Sequence, residues 1–199
     1  EDQKYIYYAA GDSIERLEQL PQTELVKDNG YEILYLTDKV DEFVMRTLHS
    51  YKEKEFRNVS SDDLGIENTE KQEEIKAKEE ESTDMLKTLG EALEGKVSKV
   101  VLSQRLKTHP VCISTEGDIT LEMEKVLNSM PSDQKVKAQR VLEINPEHEI
   151  YGKLKALSDS GDSEKLGKYA KLLYTQALLI EGMDIENPVE FSNLICELM

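Results

Sequence analysis

The sequence has far fewer basic than acidic residues and no long apolar run. Lysine and arginine together number 25 against 41 aspartates and glutamates, so the formal net charge is −16. Nucleic acids and anionic membranes are bound through positive surface patches, and this balance argues against either as a partner. No segment approaches the roughly 20 apolar residues that span a bilayer, and no signal-peptide pattern is present. We therefore expect a cytoplasmic protein.

Cysteine is also scarce, with Cys112 in a predicted strand and Cys196 in a predicted helix. Both have apolar neighbours in the sequence, and no short loop brings them together. Disulfides are rare in cytosolic proteins. We therefore predict two reduced cysteines that lie in the core.

The sequence lacks the patterns of common catalytic and cofactor sites. Neither GxGxxG nor GxxxxGK[ST] follows a predicted strand, so no phosphate loop is expected. His49, His109 and His148 fall in different elements, with no cysteine or carboxylate at metal-ligand spacing. No nucleophile elbow is present. We expect no catalytic, cofactor-binding or metal-binding residue in this chain, since an enzyme for small molecules would need a polar pocket that the sequence does not show.

Residues 1–68 alternate between strand and helix patterns, which predicts a small three-layer α/β unit with a mainly parallel sheet. The predicted strands are 4–10, 31–36 and 54–58. One predicted helix runs from Ser13 to Leu20, where Pro21 stops it. Another carries a single apolar stripe made of Val40, Phe43, Val44 and Leu48.

Residues 69–199 are predicted to form a second domain of α+β type. It begins with a charge-dense acidic run, 67–84, which is typical of a linker or a solvated helix. An apolar helix follows and ends near Gly95. Predicted strands at 96–102, 111–114 and 140–144 then form a small sheet with helices packed on it.

The last 36 residues predict two consecutive amphipathic helices with a break at Gly182. In the first helix, one apolar stripe recurs at three- and four-residue spacing, and Leu172 and Leu179 lie off it. A surface helix of a monomer needs only one such stripe. Two interpretations stay open: core helices of one domain, or a homodimer interface made by Leu172, Leu179, Phe191, Leu194, Ile195 and Leu198.

A second candidate surface is the predicted helix at 119–130. One face of this helix is apolar, and the other carries Glu122, Glu124 and Lys125. Methionine suits surfaces that meet many partners, although such a stripe is more often core. Its ends at Gly117 and at Pro131-Ser132-Asp133 could let it move. The apolar residues are Ile119, Met123, Val126, Leu127 and Met130.

Three collinear blocks resemble the heat-shock protein 90 chaperone family. Residues 171–199, KLLYTQALLIEGMDIENPVEFSNLICELM, are similar to its C-terminal dimerisation helices. Residues 2–51, from DQKYIYYAAGDSIERL to VDEFVMRTLHSY, resemble the end of its middle domain, and residues 96–115, KVSKVVLSQRLKTHPVCIST, its C-terminal domain. The chain resembles the bacterial type, because it stops directly after the last helix without the acidic tail of eukaryotic cytosolic members.

The resemblance implies the fold and roles of both parts. It implies the C-terminal subdomain of a middle domain over 1–68, a dimerisation domain over 69–199, and a four-helix bundle in the dimer. It also implies that the 119–130 helix contacts unfolded client proteins, with the match best at Met123, Val126 and Leu127. The family's ATP and Mg²⁺ site would lie upstream of Glu1, and the absence of an initiator methionine leads us to expect an upstream portion.

The sequence therefore predicts the C-terminal part of an ATP-dependent chaperone that forms homodimers and helps to bind partly folded clients. The alternative is an acidic, non-enzymatic dimerisation scaffold without chaperone activity.

Overall fold

A computed structural model describes residues 3–66, 69–131 and 135–199 of the chain. By its internal contacts the chain divides into two compact units. The first comprises Glu1–Glu67 and Ser114–Gln139, and the second comprises Asn68–Ile113 and Arg140–Met199. The predicted domains, 1–68 and 69–199, stay a prediction, because contacts alone do not define independently folding domains. The units nevertheless show that the 119–130 segment makes its contacts with the first part of the chain.

The first unit is built on a four-stranded sheet with the strand order β2-β1-β4-β3. β1 pairs in parallel with β2 and with β4, and the short β3 is antiparallel to β4. The alternation of strands and helices predicted this mainly parallel pairing. Its elements are β1 Tyr5–Ala10, α1 Ile14–Leu17, α2 Glu24–Asp28, β2 Ile33–Leu36, α3 Asp41–Leu48, β3 Ser50–Tyr51, β4 Lys54–Asn58 and α6 Leu121–Ser129.

The helix predicted from Ser13 to Leu20 is shorter than expected. α1 ends at Leu17, and a 3-10 turn follows over Pro21–Thr23. Leu20 has extended backbone angles, φ −64° and ψ 129°. A residue before proline is disfavoured in the helical region by its clash with the proline ring, so the stop acts before Pro21 itself.

The apolar stripe of α3 faces outward. Val40, Val44 and Leu48 are exposed, by 63%, 42% and 54%, whereas Glu42 on the opposite side of the helix is buried. An apolar stripe normally faces the core. Here the inner side is polar because the sheet below offers Tyr8 and Asn58 as hydrogen-bond donors to the Glu42 carboxylate.

The second unit contains a three-stranded sheet with the order β5-β7-β6, in which β5 and β7 are parallel. The three strands predicted for this part are confirmed within a few residues at each end. The last residues of β6 are counted with the first unit. The elements are α4 Thr69–Glu81, α5 Thr83–Ala92, β5 Lys99–Leu102, β6 Val111–Glu116, β7 Gln139–Ile144, α7 Glu149–Asp159, α8 Ser163–Glu181 and α9 Pro188–Leu198.

The acidic segment is helical, as one of the two interpretations predicted. α4 exposes most of its described side chains, but Ile75 is buried. The Glu79 carboxylate accepts a hydrogen bond from the backbone N–H of Leu102 at the end of β5, at 2.9 Å. The helix is therefore solvated over most of its surface and still anchored to the sheet.

The core of the second unit lies between α8 and its neighbours. α8 contacts α5, α7 and α9, and α5 also contacts β5. The predicted inner stripe of α8 is largely confirmed, because Leu166, Ala170, Leu173 and Ala177 are all buried. The Tyr174 hydroxyl accepts a hydrogen bond of 2.6 Å from the Arg140 guanidinium on β7. Within the described residues, no helix is both long and apolar enough to cross a membrane.

Candidate functional site

The side of α8 that carries Leu172 and Leu179, the two residues off its main apolar stripe, keeps accessible apolar surface. Leu179 is 51% exposed and Leu172 is half-buried, whereas the inner stripe is covered. Gly182 ends the helix with a φ of +72°, which glycine adopts without strain. Asn187 then caps α9 by accepting a hydrogen bond from the N–H of Glu190. This turn fixes the direction in which α9 leaves α8.

α9 presents a second apolar face to solvent. Ile195 is exposed, and Phe191 and Leu198 are half-buried. Val189 and Met199 add exposed apolar surface at the two ends of the helix. Exposed apolar patches rimmed by polar residues mark interaction sites.

Leu194 is the exception among the six residues predicted for the dimer interface. It is 7% exposed and buried within its own chain, so its first role is to hold α9 on the unit. The other five keep accessible surface. Their place in a dimer stays a prediction.

Ion pairs connect α9 and its leading segment to the rest of the second unit. The ammonium of Lys96 lies 2.9 Å from the carboxylate of Glu186, and that of Lys171 lies 3.7 Å from Glu190. Lys168 is paired with Glu197 on the last turn of α9 and with Glu164 on α8. The hydrogen bond to Glu186 is the main cause that raises the pKa of Lys96.

The helix predicted over 119–130 is shorter, since α6 spans Leu121–Ser129, and the five predicted client-contact residues on it and beside it are buried to different degrees. Val126 is buried, Ile119, Met123 and Leu127 are half-buried, and Met130 is 52% exposed. Thr120 caps the helix by accepting a hydrogen bond from the N–H of Met123. The predicted break at Pro131-Ser132-Asp133 lies partly outside the described residues, at Ser132 and Asp133.

On the polar side of α6, Glu124 is buried. Its side chain is 6% exposed, and its carboxylate accepts a hydrogen bond of 2.8 Å from the N–H of Ala138. Asn128 bonds both the N–H and the carbonyl of Val136. α6 is thus tied to the segment that follows it, because buried polar groups need partners.

A buried carboxylate, that of Glu42, joins α3 to the sheet and to α6. The Tyr8 hydroxyl donates to it at 3.0 Å, and the Asn58 amide donates to both of its oxygens. Burial raises the pKa of Glu42, while hydrogen bonds from Asn58, Tyr8 and Thr120 lower it without cancelling the rise. Arg46, one turn further along, pairs with Asp118 before α6.

We expect this raised pKa to make stability depend on pH. The folded chain keeps the Glu42 proton to a higher pH than the unfolded chain does, so stability is lost as the pH rises from the unfolded pKa to the folded pKa. Relative to Glu42→Gln, the free energy of unfolding of the wild type should fall above about pH 4, where a glutamate of ordinary pKa ionises. The fall is about 1.4 kcal/mol for each pH unit between the two pKa values. Urea unfolding of both proteins at a series of pH values measures it, and parallel pH profiles would contradict the prediction.

Histidine and cysteine form no cluster in the described residues. His49 follows α3, His109 lies in a loop, and His148 caps α7 by accepting from the N–H of Ile150. Across the described parts of the chain, no three histidine, cysteine or acidic side chains could hold a metal ion together. Cys112 is buried as predicted, but Cys196 is exposed. The expectation that both are core residues is wrong for Cys196, because it lies on the outer side of α9.

Two features of the site were missed by sequence reasoning. Glu42 gives no signal, because an acidic residue between apolar ones on a helix usually marks the solvent side. The lysines that reach α9 are ordinary surface residues in sequence. The sequence shows lysines on α8 and glutamates on α9, but it does not show which of them pair, because residues so far apart along the chain meet only in the tertiary structure.

The family model and the similar proteins all indicate the same family. The family model "Hsp90 protein" matches residues 1–199. The chain is 57% identical over 199 residues to "Chaperone protein HtpG" of Bacillus velezensis, 56% to that of Clostridium perfringens and 53% to that of Bacillus subtilis. All of the chain is covered in each case, but only 32%, 31% and 32% of the relatives. The chain therefore spans about a third of the length of these curated relatives, and it belongs to the Hsp90 protein family.

Proposed function

We propose that this chain is the C-terminal part of an ATP-dependent chaperone and that it joins two copies of the protein. The outward apolar face of α8 and α9 is the observation that carries this proposal. Leu179, Ile195 and Val189 are exposed there, whereas Leu194 and the inner stripe of α8 are buried. Four such helices, two from each copy, would form a bundle that covers this face. The relatives' name, a chaperone, supports the biological role.

A homodimer would explain why this apolar face is exposed in the single chain, because the partner copy would bury it. A stable interface buries on the order of 1,600 Å² in total. Apolar burial contributes about 25 cal/mol per Å², and much of that gain is offset by the cost of association. Two helices of 19 and 11 residues, each with one accessible apolar side, have the length to supply such an area.

We further propose that α6 contributes to contact with unfolded clients. The apolar residues on and directly after α6 are exposed to different degrees, from the buried Val126 to Met130, which follows the helix and is 52% exposed. A contact surface for many sequences needs accessible, flexible apolar groups, and methionine provides them. Met123 and Leu127, which are half-buried, lie between these extremes.

A matched pair of variants separates client contact from core packing on α6. We expect Met130→Ser to change the free energy of unfolding by less than about 0.5 kcal/mol, as at ordinary surface sites, and to weaken client protection. Val126→Ser should cost about 2–3 kcal/mol, because it empties buried space and buries a hydroxyl. Chemical denaturation and light scattering of an aggregating test protein measure the two effects. Full protection by Met130→Ser would contradict the client role.

The proposed role leaves ATP chemistry to residues outside this chain. This chain spans about a third of its relatives and shows no phosphate loop in its sequence. We propose that ATP and Mg²⁺ bind outside residues 1–199, that the protein works in the cytoplasm, and that nucleic acids and membranes are not its partners. The net charge of −16 supports the last point.

The competing proposal is a dimerisation scaffold without chaperone activity. Both proposals require a dimer, so sedimentation at micromolar concentration tests them together, and a monomer would overturn both. Suppression of aggregation separates them. We expect the chain to slow aggregation of a chemically unfolded protein at equimolar ratio, whereas an acidic protein of equal charge should not. If the chain suppresses aggregation no more than the control protein does, the scaffold proposal is supported and the chaperone proposal is not.

A further inference from the structure

The attachment of α9 to its own chain is the unusual feature of the second unit. In α9, all of which the structure describes, Leu194 is the one buried side chain, whereas α8 buries seven. Two hollows of about 220 Å³ and about 680 Å³ both include Leu194 in their lining. Apolar packing therefore holds α9 mainly at Leu194, while Phe191 and Leu198 are only half-buried.

Three ion pairs add to the packing at Leu194. They lie at the lead-in, the first turn and the last turn of α9, so together they fix both ends of the helix. We call them the lysine clamp, and its members are Lys96–Glu186, Lys171–Glu190 and Lys168–Glu197. The lysines remain partly exposed, and exposed ion pairs are individually weak and are screened by salt.

We propose that the lysine clamp presents α9 to the partner copy, so that the ion pairs within one chain control the affinity of the dimer. The clamp holds α9 with Leu194 inward and Ile195 outward. Without it, α9 would spend more time detached, and assembly would have to order the helix as well as bury it. Ordering a segment on binding lowers affinity. This inference rests on the proposed dimer, and it adds that ion pairs within each chain position α9 before the two copies associate.

The test compares two sets of three substitutions that lower the net charge equally. The clamp variant is Lys96→Gln, Lys168→Gln and Lys171→Gln. The control variant is Lys87→Gln, Lys153→Gln and Lys165→Gln, whose lysines do not reach α9 glutamates in the described residues. A third variant, Lys171→Glu with Glu190→Lys, reverses one pair and keeps it.

Two measurements are made on each protein: hydrogen exchange of the α9 amides, and the dimer dissociation constant by sedimentation. We expect the clamp variant to exchange at least tenfold faster in α9 and to raise the dissociation constant at least tenfold, with exchange in α5 and α7 unchanged. The control and the reversed pair should behave as the wild type does.

The outcomes separate this inference from the dimer proposal. A dimeric wild type with unchanged exchange and affinity in the clamp variant would overturn the clamp alone. An equal loss in the control variant would also overturn it, because general charge repulsion would then be the cause. A monomeric wild type would overturn the dimer, and α9 exchange would still show whether the clamp holds the helix.

Discussion

Leu194→Asp is expected to detach α9 from its own chain and to abolish the dimer. Leu194 is the buried contact of α9, and an aspartate there would be an unpaired charge in an apolar site. Burial of an ion without a partner costs several kcal/mol, more than the weak contacts of α9 can supply. We expect unprotected exchange of the α9 amides and a monomer at micromolar concentration.

Ile195→Asp is the matched comparison on the opposite side of the same helix. Ile195 is 37% exposed, so the charge can stay hydrated in the free chain and is buried only in a dimer. We expect a monomer again, but with α9 amides that exchange more slowly than those of Leu194→Asp. Sedimentation and hydrogen exchange decide the outcome. If the Ile195→Asp protein is still a dimer, the interface does not include this face of α9.

Arg105→Met is expected to cause the largest loss of stability in the second unit. Arg105 and Glu143 are both about 4% exposed, and they make a two-point ion pair at 3.1 Å. The Ser103 hydroxyl donates to the same carboxylate at 2.7 Å. Removal of one partner from a buried pair costs about 3–5 kcal/mol, because the other charge stays buried.

The double variant Arg105→Met with Glu143→Met tests this cause. It removes both charges, so we expect it to recover much of the stability lost in the single variant. Lys87→Met serves as the surface control, since Lys87 pairs with Glu91 at 3.8 Å and is 71% exposed. That change should cost less than about 1 kcal/mol. Urea unfolding measures all three, and a neutral Arg105→Met would show that the buried pair carries little stability.

Much of the local structure followed from the sequence. Alternating strand and helix patterns predicted the parallel pairing of β1 with β2 and β4. The main apolar stripe of α8 predicted a buried side, and the structure largely confirms it. These predictions succeed because the periods of helices and strands assign side chains to faces before any tertiary contact forms. The three layers of the first part and the bundle of the dimer stay predictions.

The orientation of individual helices needed the tertiary structure. Periodicity gives α3 an apolar stripe but does not say which side meets the sheet. The donors of Tyr8 and Asn58, brought together by strand pairing, turn Glu42 inward and leave Val40 outside. The same holds for Leu194, which packs inward although its neighbour Ile195 does not.

The elements, the acidic surface and the family could all be predicted from the residues alone. The folded chain was needed to show which of the apolar faces on α3, α6 and α9 are covered. It was also needed to show that Lys96, Lys168 and Lys171 pair with glutamates on α9 and its leading segment. The two kinds of information differ because an element's pattern is local, whereas burial and charge pairing depend on partners far away in sequence, as between Lys96 and Glu186.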